Sequence, residues 1–317
     1  MASRIRKIHI YHPKPERLIT AIEKKLPDRE IVAWTKEEAF LAGIEEVEAL
    51  IAFRPPRGEW ARAVMLRLLQ TTGAGVDAVL PASDLPSRVR VTNARGIHGE
   101  YMAEFALAMV LAFEKRIPTW LEEKAKHHWK YHSLGMLRDK RVSILGIGSI
   151  GKEVARVFRA MNMIVSGTRR GGEALQNVSL VVTPEKTKEI VCDADFVIVL
   201  LPLTPETRGF VNDEILEAMP KKAVLINLAR GGIVDENALI KRLERGLLRG
   251  AAMDVFSQEP LSPNDPIWDA PNTIVTPHLS GWFPGYEDRL ANIFVYNLLA
   301  LEVGNSLRNE VNRTLGY

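Results

Sequence analysis

Short apolar runs alternate with amphipathic stretches along the chain, and together they form two series. Continuous apolar runs of this kind are typical of strands buried on both faces of a parallel sheet. In the first series the predicted strands span residues 5–11, 31–34, 49–53, 66–71 and 89–92. In the second series they span residues 142–145, 164–167, 196–201, 223–227, 251–255 and 274–276. Strands that alternate with helices predict an α/β protein with two parallel sheets.

Apolar residues at helical spacing lie between these runs. Helices are predicted over 15–26, directly after a glycine-rich turn at 146–151, and over 287–303. In the second of these helices, the apolar residues recur at i, i+3, i+4 and i+7: Val154, Val157, Phe158 and Met161. A polar, basic and aromatic segment, 116–141, separates the two series.

The composition mainly excludes certain classes of protein. Of the 317 residues 46% are hydrophobic and 26% charged, which suits a globular chain with a substantial core and excludes a disordered one. Lys and Arg number 42 against 39 Asp and Glu, so the formal charge is only +3 and no nucleic-acid partner is expected. The basic segment 1–7 leads into no long apolar region, and no apolar run reaches the ~20 residues of a membrane span. Neither secretion nor a membrane partner is therefore expected.

The chain has one cysteine, Cys192, which cannot form a disulfide within the chain. It lies beside an apolar run, so we expect a buried thiol rather than a reactive one. A single cysteine favours a reducing compartment, and we expect a soluble cytoplasmic protein.

The glycine-rich turn is a G-x-G-x-x-G motif with a predicted strand before it and a helix after it. In this context Gly146 permits the tight turn, Gly148 lets the backbone approach a pyrophosphate, and Gly151 lets helix and strand pack closely. The N-terminus of the helix offers N–H groups to the phosphates. Dinucleotide binding is favoured over the alternative, a turn that serves packing alone.

The next strand ends in Thr168, Arg169 and Arg170, where an NAD-selective protein places an acidic residue. A guanidinium binds a 2′-phosphate through charge-assisted hydrogen bonds, whereas a carboxylate repels it. The sequence therefore favours NADPH over NADH. The alternative is that the two arginines are solvated surface charges and either cofactor is used.

Three segments resemble the signature segments of the D-isomer-specific 2-hydroxyacid dehydrogenases, in particular the glyoxylate/hydroxypyruvate reductase branch. They are 227–232 (NLARGG), 254–261 (DVFSQEPL) and 276–278 (TPH), and further matches lie at 72–77, 91–96, 201–209 and 307–317. The resemblance implies two Rossmann-like domains with the active site in the cleft between them. The substrate-binding, flavodoxin-like domain would be 1–98 plus 286–317, and the dinucleotide-binding domain 99–285.

The resemblance implies a catalytic set of three residues. His278 would be the general acid that protonates the substrate carbonyl, and Glu259 would orient its imidazole. Arg230 would bind the substrate carboxylate and polarise the keto oxygen. Each has a plain alternative: Arg230 a surface ion-pair residue, Glu259 a loop carboxylate, His278 a turn residue.

Further contacts are implied by the same resemblance. The backbone N–H groups of Ala74 and Gly75 would bind the substrate carboxylate, and Arg54 would reach the substrate or be an exposed loop arginine. Asp254 would contact the nicotinamide amide or be a buried turn-forming carboxylate, and Trp282 would line the pocket or serve packing. The remaining implied cofactor contacts are Ser149, Ile150, Leu201, Pro202, Thr207, Leu228 and Ala229.

The resemblance implies a 2-ketoacid reductase with no metal and with glyoxylate or hydroxypyruvate as leading substrates. Arg169 and Arg170 add a preference for NADP, with NAD as a possible cofactor. A homodimer is the family expectation, with segment 116–141 as the candidate interface. The alternatives are a reductase for bulkier 2-ketoacids, a phosphoglycerate-type dehydrogenase, and a dinucleotide-sensing scaffold of the corepressor kind. His127, His128 and His132 lack the acidic residue of a His-Glu-x-x-His metal motif.

Overall fold

The computed structural model describes residues 4–316, so Met1, Ala2, Ser3 and Tyr317, which belong to the N-terminal and closing segments considered above, lie outside the described residues. The chain divides into two compact units, Met1–Ile97 with Phe283–Tyr317 and His98–Trp282. The divisions expected from the sequence, after residue 98 and before residue 286, lie one and three residues from these.

The first unit is built on a five-stranded parallel sheet. Its strands are β1 (Lys7–Tyr11), β2 (Glu30–Trp34), β3 (Ala49–Ala52), β4 (Leu68–Thr71) and β5 (Arg90–Thr92), and its first helices are α1 (Glu16–Glu23) and α2 (Glu37–Gly43). The strand order β2-β1-β3-β4-β5 is that of flavodoxin-like folds. Short 3-10 helices lie at Ile44–Glu46 and Trp60–Arg62.

The second unit contains a seven-stranded parallel sheet. Its helices are α3 (Gly99–Glu114), α4 (Ile117–Ala125), α5 (Ser149–Ala160), α6 (Thr187–Val191), α7 (Asp213–Ala218) and α8 (Glu236–Glu244). Its strands are β6 (Arg141–Leu145), β7 (Ile164–Thr168), β8 (Leu180–Val182), β9 (Phe196–Val199), β10 (Val224–Asn227), β11 (Gly250–Met253) and β12 (Thr273–Val275). Short 3-10 helices lie at Pro184–Lys186 and Pro266–Asp269. Helix α9 (Tyr286–Val303) then belongs to the first unit.

The strand order of this second sheet is β12-β11-β10-β9-β6-β7-β8. It is the doubly wound Rossmann order with one strand added, and the order reverses between β6 and β9. All the pairings in both sheets are parallel, which confirms the predicted α/β class with two parallel sheets.

The core of the second unit lies on both faces of its sheet. Successive residues of a strand point to opposite faces, and Phe196 and Ile198 pack in one apolar cluster while Val197 and Val199 pack in the other. Helices α3 and α5 contribute to the first cluster, and helices α6, α7 and α8 to the second. This arrangement explains why the strands read as continuous apolar runs.

Several expectations need correction. Cys192 is exposed, not buried, because α6 turns Ile190 and Val191 to the core and leaves the thiol at its outer end, donating to the Glu189 carbonyl oxygen (3.5 Å). The edge strand β8 has no counterpart among the predicted strands, and segment 116–141 contains helix α4.

Within residues 4–316, no helix combines the length and apolar character needed to cross a membrane.

Candidate active site

The glycine-rich turn joins β6 to α5 where the strand order reverses. Gly146 has φ +100°, and a Cβ there would lie 3.0 Å from the Leu200 carbonyl group. A Cβ on Gly151 would lie 2.7 Å from the Gly146 carbonyl oxygen, so the helix can pack this closely only on glycine. A Cβ on Gly148 would meet nothing within 4 Å. The three glycines thus fit a dinucleotide: two serve the close packing of the turn, and the middle one faces open space that a pyrophosphate needs.

Thr168 ties this turn to β7. Its side-chain oxygen accepts a hydrogen bond from Gly146 N (3.0 Å), and its carbonyl accepts one from Ile147 N (2.8 Å). The residue is 1% exposed. The structure therefore shows Thr168 supporting the turn, and a direct contact with the cofactor stays a prediction.

Arg169 and Arg170 follow at the carboxyl end of β7. Arg169 lies 3.5 Å from a carboxylate oxygen of Glu173. The pKa of Glu206 is lowered by the Thr204 hydroxyl, by a backbone N–H and, to a smaller extent, by the positive charge of Arg170. Both arginines therefore lie near carboxylates of the same unit.

The remaining predicted cofactor residues lie after β6, β9 and β10. The Thr207 hydroxyl donates to the Pro202 carbonyl (2.5 Å) and accepts from Thr204 N (2.8 Å), so it closes the loop that begins at Leu201. Leu228 and Ala229 are buried, whereas Ser149, at the start of α5, is exposed and Ile150 is half-buried. All of them lie in segments at the carboxyl edge of the sheet, where ligands bind in folds of this kind.

The predicted catalytic residues follow three adjacent strands, since Arg230 comes after β10, Glu259 after β11 and His278 after β12. His278 Nδ1 lies 2.9 Å and 3.1 Å from the two carboxylate oxygens of Glu259. A carboxylate only accepts, so Nδ1 carries the proton of this hydrogen bond and Nε2 faces away from it. Glu259 also accepts from Phe256 N (3.2 Å), which fixes the carboxylate in place.

Asp254 anchors the loop that carries His278. Its carbonyl accepts from His278 N (2.8 Å), and its carboxylate accepts from Leu279 N (2.8 Å), Ser280 N (2.9 Å) and the Thr276 hydroxyl (2.6 Å). Asp254 is 1% exposed, and His278 has a left-handed backbone with φ +54°. These contacts match the second interpretation of Asp254, a buried turn-forming carboxylate, and contact with nicotinamide stays a prediction.

The backbone of the loop that carries Arg230 contacts the backbone of the loop that carries Glu259. A Cβ on Gly231 would lie 1.9 Å from the Phe256 carbonyl, so the two loops touch at this point. Asn227, at the end of β10, accepts from Ala229 N (3.2 Å) and donates to the Arg230 carbonyl (3.3 Å). Arg230 itself donates through Nη1 to the Ala229 carbonyl (2.8 Å).

Sequence reasoning assigned no role to Asn227 or Thr276, although both lie within the quoted motifs. Asn227 shapes the Arg230 loop, and Thr276 binds the Asp254 carboxylate. A polar residue directly at the end of an apolar strand was the available signal, because such a residue is at least partly buried, as Asn227 and Thr276 are, and needs a partner.

In the first unit, the turn after β4 has a defined orientation. The Gly73 carbonyl accepts from the Thr71 hydroxyl (3.0 Å) and Ala94 N (2.9 Å), and the Ala74 carbonyl accepts from Asn93 (2.8 Å). In a trans peptide the N–H points opposite to the preceding carbonyl. The N–H groups of Ala74 and Gly75 therefore point away from these partners, as the binding of an anion requires.

The other predicted substrate residues have less definite surroundings. Arg54 is exposed, has φ +45° and lies over the Phe53 ring, 5.5 Å from its centroid. Trp282 is 56% exposed, and its backbone N–H donates to the Leu279 carbonyl (3.0 Å). Their roles toward substrate stay predictions.

His128 Nδ1 pairs with Glu123 (3.2 Å) on the surface. Among residues 4–316, no group of three His, Cys, Asp or Glu side chains is arranged to hold a metal ion.

Comparison with known proteins connects this geometry to a family. The NAD-binding domain of D-isomer specific 2-hydroxyacid dehydrogenases matches residues 107–280. A glyoxylate reductase of Pyrococcus horikoshii is 28% identical over 97% of this chain and 96% of its own. A D-isomer specific 2-hydroxyacid dehydrogenase of Xanthobacter autotrophicus Py2, solved with NADPH and MES, is 32% identical with full coverage of both chains and a TM-score of 0.89.

A third relative is the NADPH-dependent glyoxylate/hydroxypyruvate reductase of Sinorhizobium meliloti, solved with NADP and sulfate. It is 27% identical, its TM-score is 0.90, and the match covers 99% of this chain and 100% of that one. These relatives confirm the resemblance to the glyoxylate/hydroxypyruvate reductase branch, and the second unit carries the family's NAD-binding domain. The chain belongs to the D-isomer specific 2-hydroxyacid dehydrogenase family and is an oxidoreductase of that family.

Proposed function

We propose that this protein reduces a small 2-ketoacid to the D-2-hydroxyacid, with NADPH as the preferred reductant and NADH as a possible one. The observation that carries the proposal is the hydrogen bond from His278 Nδ1 to the Glu259 carboxylate, on loops that follow neighbouring strands of the sheet. Glyoxylate and hydroxypyruvate are the leading substrates, because relatives of similar length are named for them.

The residues divide the chemistry between them. When bound, the dinucleotide would supply a hydride to the carbonyl carbon of the substrate. His278 gives its Nε2 proton to the carbonyl oxygen, so that the carbonyl group becomes an alcohol. Glu259 holds Nδ1–H and, by its negative charge, stabilises the protonated ring before the transfer. Asp254 keeps the backbone of the loop in place through its contacts with His278, Leu279 and Ser280.

Substrate binding uses charge and backbone N–H groups. Arg230 is suited to binding the carboxylate of a 2-ketoacid because its guanidinium is planar and permanently charged. Its positive charge also polarises the keto oxygen toward hydride addition. The N–H groups of Ala74 and Gly75 are proposed to hold the same carboxylate.

The preference for NADPH is proposed for Arg169 and Arg170. They follow the strand after the glycine-rich turn, where the ribose of a bound dinucleotide is recognised in this fold. Two guanidinium groups suit a 2′-phosphate. Relatives solved with NADPH and with NADP support the same choice.

A homodimer is part of the proposal. Segment 116–141 exposes a set of large apolar side chains, with Trp129 89% and Tyr131 88% exposed; the others are Ile117, Trp120, Leu121, Leu134 and Met136. Apolar side chains concentrated in one surface segment are typical of an interface.

The single cysteine also favours the cytoplasm as the protein's location.

The test is the initial rate of NADPH and of NADH oxidation with glyoxylate, hydroxypyruvate, pyruvate, phenylpyruvate and a branched-chain 2-ketoacid. We expect turnover with NADPH and the small ketoacids, and slower turnover with the bulkier ones. Tight NADPH binding without turnover of any of the five would contradict the proposal and favour a dinucleotide-sensing scaffold.

A further inference from the structure

The turn that follows β7 brings a carboxylate onto one of the two arginines proposed to bind the 2′-phosphate. Gly172 N donates to the Arg169 carbonyl (3.1 Å), which reverses the chain directly after Arg170. Glu173 then lies beside the Arg169 guanidinium, 3.5 Å from Nε. The carboxylate is positioned by this turn, four residues after Arg169 and five residues after the end of β7 at Thr168.

Two glycines make this arrangement possible. Gly172 has φ +67°, a conformation that favours glycine. A Cβ on Gly171 would lie 2.1 Å from a carboxylate oxygen of Glu173, so any larger residue there would displace the carboxylate. The turn from Arg169 to Glu173 therefore places the Glu173 carboxylate beside Arg169, just after the end of β7.

A carboxylate and a phosphate compete for the same guanidinium because both are anions that accept its N–H groups. The Arg169 side chain is 38% exposed and that of Glu173 is 63% exposed, so the pair is open to solvent and weak. Such a pair can be displaced by a doubly charged phosphate, but it lowers the net gain from binding one.

We infer that Glu173 is an internal competitor of the 2′-phosphate and sets how strongly this enzyme prefers NADPH to NADH. The inference rests on the proposed function, in which Arg169 binds that phosphate. NADH has no 2′-phosphate and does not need to displace Glu173. The Glu173 carboxylate therefore weakens NADPH binding and leaves NADH binding unchanged. It thereby reduces the ratio of the NADPH affinity to the NADH affinity.

The experiment is a fluorescence titration of NADPH and NADH, without any ketoacid, into the full-length wild type and the variant Glu173→Gln. We expect the Kd for NADPH to fall about two- to fivefold, the range that an exposed ion pair supports, and the Kd for NADH to change less than 1.5-fold. The matched control is Glu185→Gln, which removes one negative charge from an exposed carboxylate of the same unit. It should change neither Kd.

A double-mutant cycle shows whether Glu173 acts through Arg169. In an Arg169→Gln background, Glu173→Gln should no longer tighten NADPH binding. An unchanged NADPH Kd in Glu173→Gln, an equal gain for both nucleotides, or a gain that persists without Arg169 would overturn the inference while leaving the reductase activity intact. A wild type that binds neither nucleotide would instead overturn the proposed function, and the inference with it.

Discussion

At the scale of single residues, the chemistry depends on how one imidazole is held. His278 has two ring nitrogens, and the Glu259 carboxylate takes Nδ1 at 2.9 Å. The same carboxylate accepts from Phe256 N, and Asp254 accepts from His278 N. The ring is therefore fixed both through its side chain and through its backbone, as a general acid requires.

We predict that Glu259→Gln lowers kcat for 2-ketoacid reduction about 10- to 100-fold, because the amide can still hold the ring but no longer stabilises its positive charge. The Kd for NADPH should not change. The measurement is steady-state reduction of hydroxypyruvate. The control is Glu236→Gln, since Glu236 also binds this loop, through Ser257 N (2.8 Å) and its hydroxyl, without contacting the ring. An equal loss in both variants would indicate that only the loop structure was damaged.

A second histidine gives the first unit a pH-dependent stability. His9 is 1% exposed and stacks on Trp34 (ring centroids 5.1 Å apart), and its burial, with the charge of Lys7, lowers its pKa to about 4. Between pH 6.5 and pH 4 the unfolded chain binds a proton that the folded chain does not, so stability falls as the pH falls through this window.

We predict that this effect costs the wild type about 2 kcal/mol of unfolding free energy between pH 7 and pH 5. His9→Phe keeps an aromatic ring on Trp34 and removes the titrating group, so its unfolding free energy should fall by about 2 kcal/mol less over the same interval. Urea unfolding of both proteins at the two pH values measures the difference. Parallel losses in the two proteins would show that His9 titrates freely in the fold.

What could be predicted at this scale depended on whether a residue's role is local. The Arg230, Glu259 and His278 motifs are contiguous segments, so they could be recognised as resemblances before their geometry was known. The contacts of Asp254 and the exposure of Cys192 depend on which way a loop or a helix end turns, and apolar patterning does not record that. The contact between Glu173 and Arg169 could not be predicted from the sequence, because it requires the turn at Gly171 and Gly172.

At the scale of elements, the turn between β6 and α5 has the clearest relation between sequence and structure. Each of its three motif glycines has different surroundings, from the 2.7 Å approach of the Gly146 carbonyl oxygen at Gly151 to the open space at Gly148. A methyl group added at Gly151 should therefore have a different consequence from one added at Gly148.

We predict that Gly151→Ala destabilises the second unit by about 1–3 kcal/mol, because its Cβ would press on the Gly146 carbonyl and shift α5. Gly148→Ala should leave thermal stability nearly unchanged and weaken NADPH and NADH binding alike, since its methyl group fills space needed by the pyrophosphate. Thermal unfolding and nucleotide titration of both variants test this pair. Full nucleotide affinity in a stable Gly148→Ala protein would contradict the assignment of the turn.

The elements themselves were predictable where both faces are buried. The run of β9 is entirely buried, and its four residues are all apolar. Strand β8 was not predicted because it has only three residues and its first, Leu180, is half exposed at the edge of the sheet. Helix α4 was not predicted, because its large apolar residues Ile117, Trp120 and Leu121 recur at i, i+3 and i+4 over little more than one turn, too short a stretch to indicate a helix.

At the scale of the whole molecule, the exposed apolar side chains of segment 116–141 predict association with a second copy. Light scattering should give a mass twice the 35.5 kDa of the chain. Leu121 is 62% exposed on α4, so Leu121→Glu should leave the fold intact and shift the mass toward the monomer. The control is Leu180→Glu, at the edge strand β8, which should stay dimeric. A monomeric wild type would contradict the proposed interface.

His278 is proposed to supply the proton when a 2-ketoacid bound beside a reduced nicotinamide cofactor is reduced. The most direct test is kcat for hydroxypyruvate reduction by His278→Asn, because asparagine tolerates the left-handed backbone (φ +54°) of this position. We predict a loss of about 10²- to 10⁴-fold in kcat with the NADPH Kd unchanged within twofold. A variant that keeps near wild-type kcat, or one that loses NADPH binding to the same extent as turnover, would contradict the role of His278 as the proton donor.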